Sequence, residues 1–184
     1  QVSEAKTFQA KLKLKCRIEH TDGKGKCLFE GASGDAALLV SAKDANSHLA
    51  MLEVKRHVNG EFQSLEVPVI VSIAQAGVVA YVRAFTPNTV LEMNYLDGRT
   101  LSDAFSSDYE GMVTGVTVAL VGVQGIIAAN KKGIGLTDMG GDGLGLGLAV
   151  GKITIQLRPY GNAKSIKVIT NGQEQSMPLK ALLN

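Results

Sequence analysis

Lysine or arginine occupies every second position of residues 11–17: Lys11, Lys13, Lys15 and Arg17. In an extended strand, alternate residues share a face, so these four cations would form one stripe. A stripe of that kind can hold an anionic partner by charge: a glycan carboxylate, a lipid phosphate or an acidic protein surface. If the chain folds back just after it, Lys26 lies across from Arg17 and extends the stripe. Like charges so placed repel mildly, and an external anion would relieve them. The same pattern also describes a solvated strand face whose lysines discourage edge-to-edge pairing.

Two cysteines flank the expected turn, Cys16 and Cys27, separated by the turn-rich His20-Thr21-Asp22-Gly23-Lys24-Gly25. A hairpin centred on Thr21 and Asp22 would put Cys16 directly opposite Cys27 and permit a disulfide. A tight Asp22-Gly23 turn would leave the cysteines diagonal, roughly 7–8 Å apart and at the limit for a bridge. The first register, and with it a Cys16–Cys27 disulfide, is the expectation. It would belong to an oxidising compartment. A start without Met and the lack of any Asn-X-Ser/Thr acceptor agree with a periplasmic or extracellular protein whose signal peptide has been removed.

The remaining chemically capable residues do not form a recognisable set. His20, His48 and His57 have no nucleophile at a telling spacing. Neither do they complete a zinc site with the cysteines. Asp138 and Asp142, in the Gly/Asp stretch 137–143, offer oxygens for calcium but lack the EF-hand pattern, so a plain loop is expected. Gly31-Ala32-Ser33-Gly34-Asp35 is one residue short of a nucleophile elbow. The run Gly143-Leu144-Gly145-Leu146-Gly147 is not a dinucleotide fingerprint. No metal and no cofactor is expected.

The elements that must position these residues are strands. Polarity alternates without a break over residues 7–19. Asn59-Gly60 and Asn171-Gly172 sit between alternating segments and predict tight hairpins. Pro68 and Pro87 suit strand starts or loops. Residues 101–110 are polar and predict a helical turn or a long connection; an internal division of the chain would fall there. A final helical turn is expected in 178–183.

Residues 111–130 carry no charge, and twelve of the 21 glycines fall in 111–151. The length would suit a buried or membrane helix, which would make the fold α+β. The β-branched content and the period-two alternation of bulk over 144–151 favour glycine-rich strands instead. There, close packing would make Gly145→Val or Gly147→Val severely destabilising.

The whole reads as an all-β, mostly antiparallel sandwich or barrel of short strands with a glycine-rich central section, one β-rich unit over 1–184. The net charge of +2 and the absence of Trp argue against a nucleic-acid binder or a base-stacking platform. The expected role is a non-catalytic binding or structural module that meets an anionic glycan, lipid or protein surface. Two other classes stay open. A hydrolase would need a pocket gathering at least two of His20, His48, His57, Asp138 and Asp142. An envelope-associated, self-assembling protein would use the apolar section or an open strand edge.

Overall fold

The computed structural model describes residues 8–17, 25–29, 36–40, 48–76, 81–83, 90–118, 121–145, 147–160 and 165–183. Its strands are β1 (Phe8–Arg17), β2 (Gly25–Phe29), β3 (Ala36–Val40), β4 (His48–Val58), β5 (Glu61–Ala76), β6 (Tyr81–Arg83) and β7 (Val90–Asn94). They continue with β8 (Tyr109–Val118), β9 (Val121–Ala129), β10 (Gly135–Gly145), β11 (Gly147–Pro159), β12 (Ile166–Thr170) and β13 (Gln173–Met177). Two single-turn helices complete the described chain, α1 (Leu101–Ala104) and α2 (Leu179–Leu182). The uncharged stretch 111–130 forms strands, and no described helix is long and apolar enough to cross a membrane.

Eight strands close into an antiparallel barrel in the order β11-β8-β9-β10-β7-β1-β4-β5, with β5 pairing back to β11. The order is two Greek keys in succession. In β7-β1-β4-β5 a three-stranded meander is flanked by a fourth strand that returns beside the first, and β11-β8-β9-β10 repeats the plan. Each key is joined to the other through its third and fourth strands. Strands from both sides of residues 101–110 therefore belong to one sheet.

The register fixes the tilt. One row of paired residues runs Glu66, Glu53, Lys11, Glu92, Thr137, Ile127, Met112, Lys152 and returns to β5 at Ala76, ten residues beyond its start. A stagger of that size in eight strands matches a tilt of roughly 35–45° and an interior that side chains can fill. They do fill it at the end where β4 turns into β5: Leu12, Leu52, Val54, Leu65, Val67, Leu91, Ile126, Leu136, Ile153 and Ile155 are buried.

That same end is closed by the helices. Thr100 and Asp103 form a capping box on α1, each side chain bonded to the other's backbone N–H. Leu101, Ala104 and Leu182 are buried, and Ser102 N–H donates to the Leu183 carbonyl at 2.8 Å. Beneath α2, the buried Arg56 donates through Nε to Gln63 Oε1 (2.9 Å) and through Nη1 to the Leu182 carbonyl (2.8 Å). Burial lowers the pKa of its guanidinium from the ordinary value. Tyr109 donates its hydroxyl to the Ala104 carbonyl at 2.6 Å, and burial raises its pKa.

Both Asn-Gly hairpins form as expected. Asn59 and Gly60 sit at φ 52° and 79°, Asn171 and Gly172 at 49° and 81°, the pair of positive angles a two-residue turn needs. Three expectations need correction. Pro68 is inside β5, not at a strand start. Its missing N–H costs nothing there because β5 changes edge partner at that point, from β12 at residues 63–65 to β11 from Val69 onward, and only the Pro68 carbonyl is used, accepting from Tyr160 N–H at 2.9 Å. Residues 137–143 are strand, not loop: β10 runs through them beside β9 with a register shift between Met139 and Gly141.

The third correction concerns the cysteines. β1 pairs with β4 and β7, while β2 pairs with β3 in a separate two-stranded sheet, so the hairpin expected between Cys16 and Cys27 does not form. Cys16 aligns with Leu49 and Cys27 with Leu38. No disulfide is found among the described residues, and the cysteine side chains lie outside them.

Candidate binding groove

Position Lys11 is flanked by carboxylates on both neighbouring strands. It pairs with Glu53 of β4 on one side and Glu92 of β7 on the other. Strand alternation turns Leu12, Leu52 and Leu91 into the core, so Lys11, Glu53 and Glu92 point outward. Lys13, one step along the same face, reaches Glu53 Oε1 at 3.5 Å, with both side chains about one-third exposed. An ion pair so wetted contributes about 0–1 kcal/mol. The stripe is thus locally neutralised by residues far away in sequence.

The stripe is also interrupted. A bulge falls between Leu14 and Cys16, after which Cys16 aligns with Leu49 and Arg17 with His48. One extra residue reverses the alternation. His48 shares the face of the core residues Ala50 and Leu52. Lys26 aligns with Leu39 on β3, not with Arg17. The side chains of Lys15, Arg17 and Lys26 lie outside the described residues.

Beyond the end of β7, on the Lys11 side, a groove of about 590 Å³ opens on the outer surface. Gln9 and Lys11 of β1, Glu53 and Lys55 of β4 and Glu92 and Asn94 of β7 line it, with Phe8, Tyr95 and Asp97. Asn94 is held by donating from Nδ2 to Thr137 Oγ1 at 2.7 Å. Tyr95 is 80 % exposed and adopts φ 64°. A bulky residue rarely takes that conformation, which costs of order 1–3 kcal/mol. The turn that follows imposes it: Leu96 is buried, Arg99 N–H donates to the Leu96 carbonyl at 3.0 Å, and Gly98 takes φ 72°. Tyr95 also lies over Gly135, where an added Cβ would stand 3.4 Å from Tyr95 Cδ2. The ring is an exposed aromatic held at the rim of a charged floor.

The groove can bind, and it contains no nucleophile with an adjacent base. The histidines are elsewhere: His48 is buried in β4, and His57 meets Phe62 edge-on at 5.5 Å. His20 lies outside the described residues. Asp138 and Asp142 are on β10 and do not line the groove. Among the described residues, no cluster of His, Cys, Asp or Glu is suited to a metal ion. Among the described residues, the groove gathers none of His48, His57 and Asp138.

Sequence reasoning found Lys11 and missed Glu53, Glu92, Asn94 and Tyr95. Nothing in the local pattern assigns Glu53 and Glu92 to Lys11, because strand pairing decides it. Asp97-Gly98 did mark a turn, and a turn after an exposed aromatic was the available signal. No family model, curated protein or solved structure matches the chain.

Proposed function

We propose that this chain is a non-catalytic binding module and that the outer groove is its recognition element. The observation that carries the reading is a strained, exposed Tyr95 beside a floor of alternating charge. Strain kept at a solvent-facing residue suggests a selected role. A rigid aromatic supplies contact area at small entropic cost.

The floor refines the partner. Lys11 and Lys55 favour an anionic group, while Glu53, Glu92 and Asp97 favour a cationic one beside it. A polypeptide surface carrying both signs fits better than a uniform polyanion. Fluorescence anisotropy with labelled peptides of mixed, wholly acidic and neutral composition tests this. Mixed-charge peptides should bind, and Lys11→Glu with Lys55→Glu should weaken them by about tenfold or more. Equal or better binding of the wholly acidic peptides would restore the simple anion stripe. No peptide binding, with or without Tyr95, would remove the groove as a recognition site.

An extracytoplasmic location and a Cys16–Cys27 disulfide belong to the same proposal. The bulge brings Cys16 into line with Leu49, which points to the outside of the barrel and is nevertheless buried, as are Met51, Ile70 and Tyr160. Another part of the chain covers that face, and β2 lies against β1. A disulfide there would tie the β2–β3 sheet to the barrel. Thiol counting in denaturant without reductant should find no free thiol; two would end this part of the proposal.

A further inference from the structure

The same dipeptide forms two hairpin tips, and neither tip lines the groove. Asn59-Gly60 joins β4 to β5, and Asn171-Gly172 joins β12 to β13. The tips are closely matched. Their φ angles are 52° and 79° in the first, 49° and 81° in the second. All four residues are exposed, and a Cβ added at either glycine would meet nothing within 4 Å. A β-branched residue, Val58 or Thr170, precedes each pair.

Asparagine before glycine supports a reaction that needs only water. The glycine nitrogen gives up its proton and attacks the asparagine Cγ. The N–Cγ bond forms, the Cγ–Nδ2 bond breaks, and the amide nitrogen takes up a proton and leaves as ammonia. Water then opens the succinimide at either carbonyl, giving aspartate or isoaspartate. Glycine suits the attack because it has no side chain to crowd its nitrogen. Cγ must also swing onto that nitrogen, so the tip has to open locally.

The tips differ in what holds the asparagine. Asn171 Oδ1 accepts from the Phe62 N–H at 3.3 Å, and the Asn171 N–H donates to the Phe62 carbonyl at 3.1 Å. The carboxamide is thereby drawn across to β5, away from Gly172. The Asn59 carboxamide makes no hydrogen bond among the described residues.

We infer that Asn59 is a site of spontaneous deamidation in the folded protein, and that Phe62 protects Asn171 from the same reaction. The modification matters to the fold at that point. Isoaspartate adds a carbon to the backbone of a two-residue turn whose length sets the β4–β5 register. Aspartate adds a negative charge two residues from Glu61. The site is independent of the groove, and its failure would leave the groove untouched.

The order of reaction tests the inference. The β12–β13 ladder is the shorter one and β13 is exposed, so unzipping of whole hairpins would put Asn171 first. The tether puts Asn59 first. The folded full-length chain is held at mildly alkaline pH and digested, and each peptide is resolved into its asparagine, aspartate and isoaspartate forms. A parallel incubation in urea removes the fold. Asn59 should convert about fivefold or more faster than Asn171 in the folded chain, as one hydrogen bond of ordinary net strength dictates. The two rates should draw together in urea. Phe62→Pro removes the tethering N–H, which points to β12 and not to β4, and should speed Asn171 alone; a thermal melt establishes that the variant folds. If it does not fold, the unaltered chain with and without urea decides. Equal rates in the folded chain, a lead for Asn171, or an intact Asn59 while both convert in urea would overturn the inference. So would an unchanged Asn171 rate in folded Phe62→Pro.

Discussion

The two Greek keys share a strand plan and treat their outer faces differently. In the first, Leu12, Leu52, Val54 and Leu91 fill the interior, and Lys11, Lys13, Glu53 and Glu92 face out. In the second, the described residues Ile126, Leu136 and Ile153 are buried in the interior, and Met112 and Ile127 face out. Backbone pairing closes the barrel in both, because ladder hydrogen bonds ignore side-chain polarity. Side chains then decide what each wall can touch. The first key makes a wet, charge-paired groove; the second exposes the apolar pair Met112 and Ile127.

The largest test strikes the shared backbone. Gly111 pairs with Ala128, and an added Cβ would lie against the Ile127 carbonyl oxygen, with backbone rather than a movable side chain in the way. Gly111→Val should cost about 3 kcal/mol or more by overpacking, read as a lower urea midpoint or loss of the folded state. Wild-type stability would mean that β8 and β9 do not pair in this register.

A matched pair of truncations tests the contrast between the keys directly. Leu52→Ala, in the first key's interior, should lose about 2–5 kcal/mol. Ile127→Ala, at an exposed position of the second key, should stay within roughly 0.5 kcal/mol. Similar losses from urea unfolding of both would mean that Ile127 is covered in the folded chain.

Tyr109 probes the join between α1 and the second key. Its buried hydroxyl is easier to ionise in the unfolded chain, so it stabilises the fold below pH about 10 and that contribution falls as pH rises further. Tyr109→Phe should cost about 1 kcal/mol at neutral pH and flatten the alkaline decline of the urea midpoint. An unchanged decline would assign it to other groups. The smallest effect is expected at Lys13 and Glu53. A double-mutant cycle should give about 0–1 kcal/mol, diminishing with salt. A larger, salt-insensitive coupling would mean that the groove floor is drier than its exposure indicates.

Much of this was legible locally. Alternation over 7–19 revealed β1, Asn59-Gly60 and Asn171-Gly172 revealed their hairpins, and the polar stretch at 101–110 held the short helix α1. Other features were not legible, because their cause lies in a neighbouring strand. The bulge after Leu14 leaves no mark on an unbroken alternation, yet it shifts the register so that Cys16 aligns with Leu49 and Arg17 with His48. Pro68 is tolerated inside β5 because the edge forks between β12 and β11. Residues 137–143 look like a loop until β9 supplies a partner.

The sequence alone determined that the chain is extended and which face of the first strand is dry, since both follow from the two-residue period of a strand. Only the tertiary structure decided that the strands close into one ring, that Lys11 stands between two glutamates, and that Cys16 aligns with Leu49 and Cys27 with Leu38. Those outcomes depend on register between distant segments. Many registers give the same local pattern, and closure selects the one that leaves no unpaired edge in the ring.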